Sequence, residues 1–194
     1  MPTTRCRNAH RRAGGLGSAT PPSGCQKDYA TFLKTSEETG GEGTLIEIEP
    51  APGGGNQPHN HLTYDEHFEV LEGALEVQLG KASRTLRPGE KATAYKTVLH
   101  RFRNPAEEPG PLAGRMRPGH CGFEKALKVA YGLAAEGLAA NGAPKNPYDL
   151  ALAFEWGEGR LPGVFAVLEP VFRLLAKRAR LKGINRELEE KYCR

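Results

Sequence analysis

A run of short, evenly spaced strand candidates between residues 28 and 118 constrains the fold of this chain most strongly. Many of these segments alternate apolar and polar residues or are rich in β-branched residues, and Gly or Pro separates them. Short strands at such spacing predict a β-sandwich or a small barrel. The predicted strands are Tyr29–Lys34, Thr44–Glu49, Glu66–Glu72, Ala74–Leu79, Ser83–Leu86, Lys91–Tyr95, Val98–Arg103 and Leu112–Arg117.

After Gly119 the apolar residues recur about every 3.6 positions, which predicts helices in place of strands. The chain is therefore predicted to have an all-β core followed by about three to four helices. The predicted helices run from about Phe123 to a stop at Asn141-Gly142, from Pro147 (with Asn146 as N-cap) to about Trp156, from Leu161 or Pro170 to Lys182-Gly183, and from Asn185 to Tyr192.

Charge is concentrated in residues 1–27, which carry five basic side chains and no acidic one. Without those five, 22 of the 27 basic residues remain against 23 acidic ones, so the rest of the chain is close to neutral and gives little support for a nucleic-acid-binding face. The first 27 residues are also rich in Gly, Ala, Ser, Thr and Pro and poor in apolar residues, so we expect a disordered tail. An organellar transit peptide and an extension upstream of the true start are alternative interpretations of this segment.

The positions of the cysteines and the C-terminal apolar segment indicate whether the protein is expected in a reducing compartment or at a membrane. Cys6, Cys25, Cys121 and Cys193 are scattered, and a reducing cytoplasm is the simplest expectation. The segment from Leu161 to Ala176 is too short and too interrupted to cross a bilayer. The basic side of the third predicted helix could rest on anionic lipid, or it could be a solvated face whose apolar stripe packs on the β core or on a second subunit.

Four residues with metal-ligating side chains lie among the predicted strands. His59 and His61 are two positions apart, so both imidazoles can point to the same face, and Glu66 and His100 follow on later segments. Imidazole and carboxylate donors without a thiolate suit a divalent transition ion such as Fe, Mn, Ni, Co, Cu or Zn. Four protein ligands leave coordination positions open for water, oxygen or substrate. Surface-loop positions for His59 and His61, with Glu66 as a solvated acid, are the alternative.

The aromatic residues on these strands are expected to face the same interior. Phe68 should point inward with Glu66, and Phe102 should point inward with His100, so that both could wall a substrate pocket or simply pack in the core. His67 neighbours Glu66 and should face away from the site.

The spacing of the ligand residues resembles the two motifs of the cupin superfamily. Two positions of the second motif depart from the family pattern, because Tyr95 stands at its usual Pro and Thr97 at its usual Gly, which puts the turn before His100 in doubt. The positions that match are Gly53, His59, His61, Glu66 and Gly73 in the first motif and Gly89, His100 and Asn104 in the second.

This resemblance implies a cupin barrel, a double-stranded β-helix or jelly roll, over residues 28–118. Residues 119–194 would form a helical extension that packs on the barrel or on a partner subunit. It also implies a metal held by His59, His61, Glu66 and His100, with Glu66 able to act as general base, and a homodimer. Two functions stay open: a metal-dependent dioxygenase, isomerase or related enzyme acting on a small organic molecule, or a non-catalytic sensor or carrier that binds metal or a small ligand.

Overall fold

The structure is a computed structural model that describes residues 29–140, 142–158, 160 and 163–193. The predicted tail, residues 1–27, lies outside this part of the chain. Each of the eight predicted strands is present, with ends that differ from the prediction by at most two residues. The strands are β1 Tyr29–Lys34, β2 Thr44–Glu49, β3 Asp65–Val70, β4 Leu75–Leu79, β5 Ala82–Leu86, β6 Lys91–Ala94, β7 His100–Arg103 and β8 Leu112–Arg117.

These strands form two antiparallel sheets that share one apolar core. The larger sheet has the order β1-β2-β8-β3-β6, and the smaller one has the order β5-β4-β7. Side chains from both sheets meet in the core, among them Ile46 and Phe68 from the larger sheet and Val77 and Phe102 from the smaller one. The predicted jelly roll is thus confirmed as two sheets facing each other across a shared interior.

Alternation along β3 decides which of its residues reach this interior. Glu66, Phe68 and Val70 are buried, whereas the residues between them are only half-buried. Phe68 lies opposite Gly114 of β8 in the antiparallel register. The inward direction predicted for Glu66 and Phe68 therefore follows from the two-residue period of the strand.

Four α-helices follow the strands within the described residues: α1 Cys121–Ala135, α2 Pro147–Gly157, α3 Glu169–Leu181 and α4 Ile184–Tyr192. As predicted, Asn146 caps α2 by accepting a hydrogen bond from the backbone N–H of Tyr148, and Pro147 occupies the first turn. Two-residue strands β9 Ala139–Ala140 and β10 Ala143–Pro144 pair between α1 and α2, and a 3-10 helix, Gly163–Leu168, precedes α3. None of the described helices has the length and apolar content needed to cross a membrane.

Helix α1 contacts the β core directly. Phe123 and Leu127 pack against the core between the sheets. Buried Glu124 accepts hydrogen bonds from the backbone N–H of Ser36 (2.6 Å) and from the hydroxyl of Thr44 (2.5 Å). Since a buried carboxylate needs such donors to offset its lost hydration, these bonds fix α1 against the start of the larger sheet.

Helices α1 to α4 form a second apolar core, which includes Leu133, Leu152 and Ala176. The apolar residues Val171, Leu174 and Leu175 of α3 differ in their surroundings. Only Leu175 packs against the helical core, whereas Val171 and Leu174 are 52% and 49% exposed. Helix α3 turns its small residues Ala176 and Ala179 inward, because alanine allows the closest approach to neighbouring helices.

Candidate metal centre

The four predicted ligand residues come together from three separate segments. His59 and His61 lie in the connection between β2 and β3, Glu66 lies on β3, and His100 opens β7. Two backbone hydrogen bonds join His59 and His100, from the N–H of each to the carbonyl of the other (3.0 and 2.8 Å). One possible ligand atom from each of the four side chains lies within 4.8 Å of the other three.

The carboxylate of Glu66 is the meeting point of the cluster. Its Oε2 atom lies 3.0 Å from Nε2 of His100 and 3.5 Å from Nε2 of His61. The ring centroid of His59 is 4.7 Å from that of His61 and 4.5 Å from that of His100. His61, Glu66 and His100 are buried, and His59 is partly exposed, so the cluster opens to solvent on the side of His59.

Each imidazole has an oxygen partner at Nδ1, on the side away from Glu66. Nδ1 of His59 lies 2.7 Å from the carbonyl of Gln57, and Nδ1 of His100 lies 2.9 Å from the carbonyl of Val98. A carbonyl only accepts, so both Nδ1 atoms must carry a proton. The hydrogen-bonding network therefore assigns the same tautomer to both rings and leaves Nε2 for the cluster.

Tyr64 supplies the corresponding partner for His61. Its hydroxyl lies 2.7 Å from Nδ1 of His61 and donates to the carbonyl of Gly157 at 3.1 Å. Because the hydroxyl proton is used on Gly157, the tyrosine oxygen accepts from Nδ1 of His61. All three imidazoles are thus held in the orientation that metal-ligating histidines have in proteins, with a second-shell oxygen on the far nitrogen.

These residues fit a divalent transition ion. Nε2 of His61 is buried and, within the described part of the chain, has no hydrogen-bond partner. A buried polar nitrogen without a partner is costly, and a bound cation would satisfy it together with the other three donors. Three imidazole nitrogens and one carboxylate, with no sulfur, suit Fe, Mn, Ni, Co, Cu or Zn.

Burial and close charged or hydrogen-bonded partners have opposite effects on the pKa values in the cluster. Burial alone would raise the pKa of Glu66, but the hydrogen bond from His100 and the nearby imidazole of His61 outweigh it and hold that pKa below its usual range. Burial also acts to lower the pKa of His100, yet its hydrogen bond to Glu66 raises the pKa above 6.5. For His59, burial dominates and lowers the pKa to about 4. In the metal-free protein Glu66 is therefore ionised, His59 is neutral and His100 can carry a second proton on Nε2.

From these shifts we predict that metal affinity rises with pH through neutrality. A metal must displace the proton on Nε2 of His100, and that proton is retained up to a pKa above 6.5. His59, with a pKa of about 4, offers no competing proton in the same range. Competition titrations with a chromophoric chelator between about pH 6 and 8 should show affinity increasing by up to about tenfold per pH unit. An affinity that is flat over this range would contradict the assignment.

Other residues from the sequence analysis lie at the edge of the cluster or away from it. Phe68 and Phe102 are buried in the core, with ring centroids 5.8 Å apart and that of Phe68 6.3 Å from His100. These contacts are those of core packing, and a substrate-pocket role for the two rings stays a prediction. His67 bonds through Nδ1 to the hydroxyl of Thr93 at 2.9 Å. His120 caps α1 by accepting from the backbone N–H of Phe123.

Sequence reasoning missed Tyr64, which is 1% exposed and stacks on His61 with ring centroids 4.3 Å apart. Its position two residues before Glu66, on the same side of an extended chain, was the available signal. The oxygen partners from Gln57, Val98 and Gly157 carry no signal in residue type, because each acts through its backbone carbonyl.

The turn before His100 is strained at Thr97, which stands where the second cupin motif usually has Gly. Thr97 has a φ of 68°, a left-handed conformation that is unfavourable for a β-branched residue, and its N–H donates to the carbonyl of His61 at 2.7 Å. We predict that Thr97→Gly raises the free energy of unfolding by about 1 kcal/mol, since relief of strain exceeds the added entropy of the unfolded chain.

Chemical denaturation of Thr97→Gly beside Thr85→Gly would test this prediction. Thr85 is exposed within β5, one residue before the strand ends, and glycine there should destabilise by about 0.5–1 kcal/mol. Equal losses of stability in the two variants would show that the conformation of Thr97 is not strained.

Comparison with known proteins finds a family model that matches part of the β core. Residues 46–112, about a third of the chain, match the family model described as "Cupin domain". Protein SchB of Streptomyces halstedii is 35% identical over 86 residues, a match that covers 41% of this chain and 62% of SchB. The chain thus spans less than two thirds of the length of this curated relative.

Solved structures with a similar fold match about half of the chain. KdgF from Halomonas sp. is 20% identical, with a TM-score of 0.44 over 48% of this chain and 81% of its own. An RmlC-like cupin from Shewanella frigidimarina is 19% identical, with a TM-score of 0.45 over 51% and 83%. A predicted oxalate decarboxylase from Thermotoga maritima is 13% identical, with a TM-score of 0.45 over 47% and 80%.

Proposed function

Because this chain carries a cupin domain over residues 46–112, we propose that it is an enzyme that uses a divalent transition metal to act on a small organic molecule. The ligands would be His59, His61, Glu66 and His100. Oxidation or isomerisation is the class of reaction that we propose.

The observation that carries this proposal is the common orientation of the three imidazoles. Each Nδ1 is engaged by an oxygen, from Gln57, Tyr64 or Val98, which leaves each Nε2 for the cluster around Glu66. Such outer partners raise the basicity of a ligand and fix its ring. A cluster that served only to fill the core would not need three separate partners of this kind.

The ion, when bound, would supply Lewis-acid or redox chemistry at a substrate held beside it. Access is expected past His59, the one partly exposed member of the cluster. Glu66 is the only carboxylate of the set and is ionised at neutral pH, since His100 and His61 lower its pKa. We propose that Glu66 takes a proton from the substrate when the reaction needs a general base.

Metal analysis followed by turnover assays tests this function. Elemental analysis of the purified protein should find about one transition ion per chain. The loaded protein should then consume oxygen with, or isomerise, a member of a panel of small hydroxylated or aromatic acids and sugars. The same protein stripped by a chelator is the control and should be inactive. Full metal loading with no turnover on any member would contradict the enzyme and favour a carrier or sensor.

Four further statements also stay predictions. They are the division of the chain at residues 118 and 119, the homodimer, the reducing cytoplasm as compartment and the lack of nucleic-acid binding. The near-neutral charge of residues 28–194 supports the last of these. Light scattering of the purified protein would test the dimer, for which twice the 21.1 kDa of one chain is expected.

A further inference from the structure

Helix α3 leaves one apolar side exposed while its other side packs in the protein. Ala176 and Ala179 are fully buried against the helical core. On the opposite side Val171 is 52% exposed, Leu174 49% and Leu181 80%. Three aliphatic side chains on one side of α3 are thus in contact with water, an arrangement that commonly marks an interaction surface.

These exposed residues lie along one line of the helix. Leu174 follows Val171 by three positions and Leu181 follows after seven more, while Val167, which is 73% exposed, lies in the 3-10 helix that precedes α3. Arg178 lies between Leu174 and Leu181 on the same side of the helix, four positions after the first and three before the second. We call Val171, Leu174 and Leu181 the apolar stripe of α3.

Basic residues surround the stripe, and acidic residues are missing from it. The sequence from Pro170 to Arg186 has six basic residues and no acidic one. Arg180 pairs with Glu155 on α2, and Lys182 lies over the ring of Tyr148. Arg173, Lys177 and Arg178 are exposed, and within the described residues none of them forms an ion pair.

We propose that this face of α3 binds the surface of an anionic lipid membrane. The apolar stripe would enter the boundary between headgroups and acyl chains, and the basic residues beside it would meet lipid phosphates. Interfacial helices combine these two features: aliphatic side chains on one line and Lys or Arg along its borders. Long basic side chains such as that of Arg178 can bend back to the headgroups while their methylene groups remain in apolar surroundings.

Charge argues against two other occupants. A second copy docked through the same face would bring two basic faces together with no acidic residue between Pro170 and Arg186 to offset them, which is unfavourable. A nucleic acid would use the basic residues but would leave the apolar stripe exposed. An acidic, apolar face on another protein would also complement the stripe, but it would give no binding to pure lipid vesicles.

The test uses the full chain and vesicles of phosphatidylcholine with or without about a third phosphatidylserine, separated by flotation. Each basic residue near an anionic leaflet contributes about a factor of five to binding. The double variant Lys177→Glu/Arg178→Glu should therefore bind at least about 25-fold more weakly than the original protein. Leu174→Ser should also weaken binding. Neutral vesicles, or high salt, should abolish it.

The matched control is Lys81→Glu/Arg87→Glu, which reverses two exposed basic residues at the ends of β5. This variant should bind like the original protein. Circular dichroism and metal content should be unchanged in all variants. Failure of the lipid proposal can therefore be distinguished from failure of the proposed metal site. No binding to anionic vesicles, or equal loss in the control, would overturn the proposal. A change in oligomeric state of Leu174→Ser without any lipid binding would assign the stripe to a protein interface.

Discussion

Replacing His100 with Ala should lower the affinity for a divalent transition metal by at least about 100-fold, since loss of a ligand exceeds the 10–100-fold effect of losing an outer partner. Nε2 of His100 lies 3.0 Å from the carboxylate of Glu66, and no other imidazole in the described chain can take its place in the cluster. Elemental analysis after gel filtration, followed by chelator competition, would measure the change.

A matched control distinguishes loss of a ligand from general damage. His67 is adjacent to Glu66 in sequence, but its ring bonds to Thr93, so His67→Ala should keep the metal. His100→Gln should also lose the metal while filling most of the buried space of the histidine. Unchanged metal content in both His100 variants would remove this residue from the ligand set.

The second large effect is expected at Tyr64. Tyr64→Phe keeps the ring that stacks on His61 but removes the hydroxyl that accepts from Nδ1, so His61 loses its fixed tautomer and orientation. Loss of such an outer partner weakens metal binding by about 10–100-fold. The affinity of the folded variant for metal is the readout, with unfolding measured in parallel.

Tyr95→Phe is the control for this substitution, because Tyr95 is 63% exposed and should have no effect on the metal. An unchanged affinity in Tyr64→Phe would show that His61 is oriented without the tyrosine. A loss would also connect the metal centre to the helices, since the same hydroxyl donates to Gly157 at the end of α2.

The strands could be predicted because they depend on the two-residue period of extended chain, and the candidate ligands because their spacing resembles that of the cupin motifs. That period places Glu66 and Phe68 on the inner face of β3, where the structure has them. Helix starts follow from local chemistry as well, as the cap by Asn146 and the following Pro147 illustrate.

What could not be predicted depends on contacts between distant segments. Tyr64 meets Gly157 across 93 positions, and no local pattern specifies that approach. The side of α3 that packs was also not evident, because Val171, Leu174 and Leu175 are equally apolar in the sequence. The small side chains of Ala176 and Ala179 pack in the helical core. Because that side of α3 faces inward, Val171 and Leu174 on the other side are exposed.

The most direct measurement is X-ray absorption at the edge of the ion bound to the purified protein. Coordination by His59, His61, Glu66 and His100 predicts multiple scattering from three imidazoles and about four nitrogen or oxygen neighbours from the protein at roughly 2.0–2.2 Å. Substitution of His100 should reduce the imidazole count by one or leave no ion to observe. A spectrum with sulfur neighbours, or with one imidazole or none, would contradict the proposed centre.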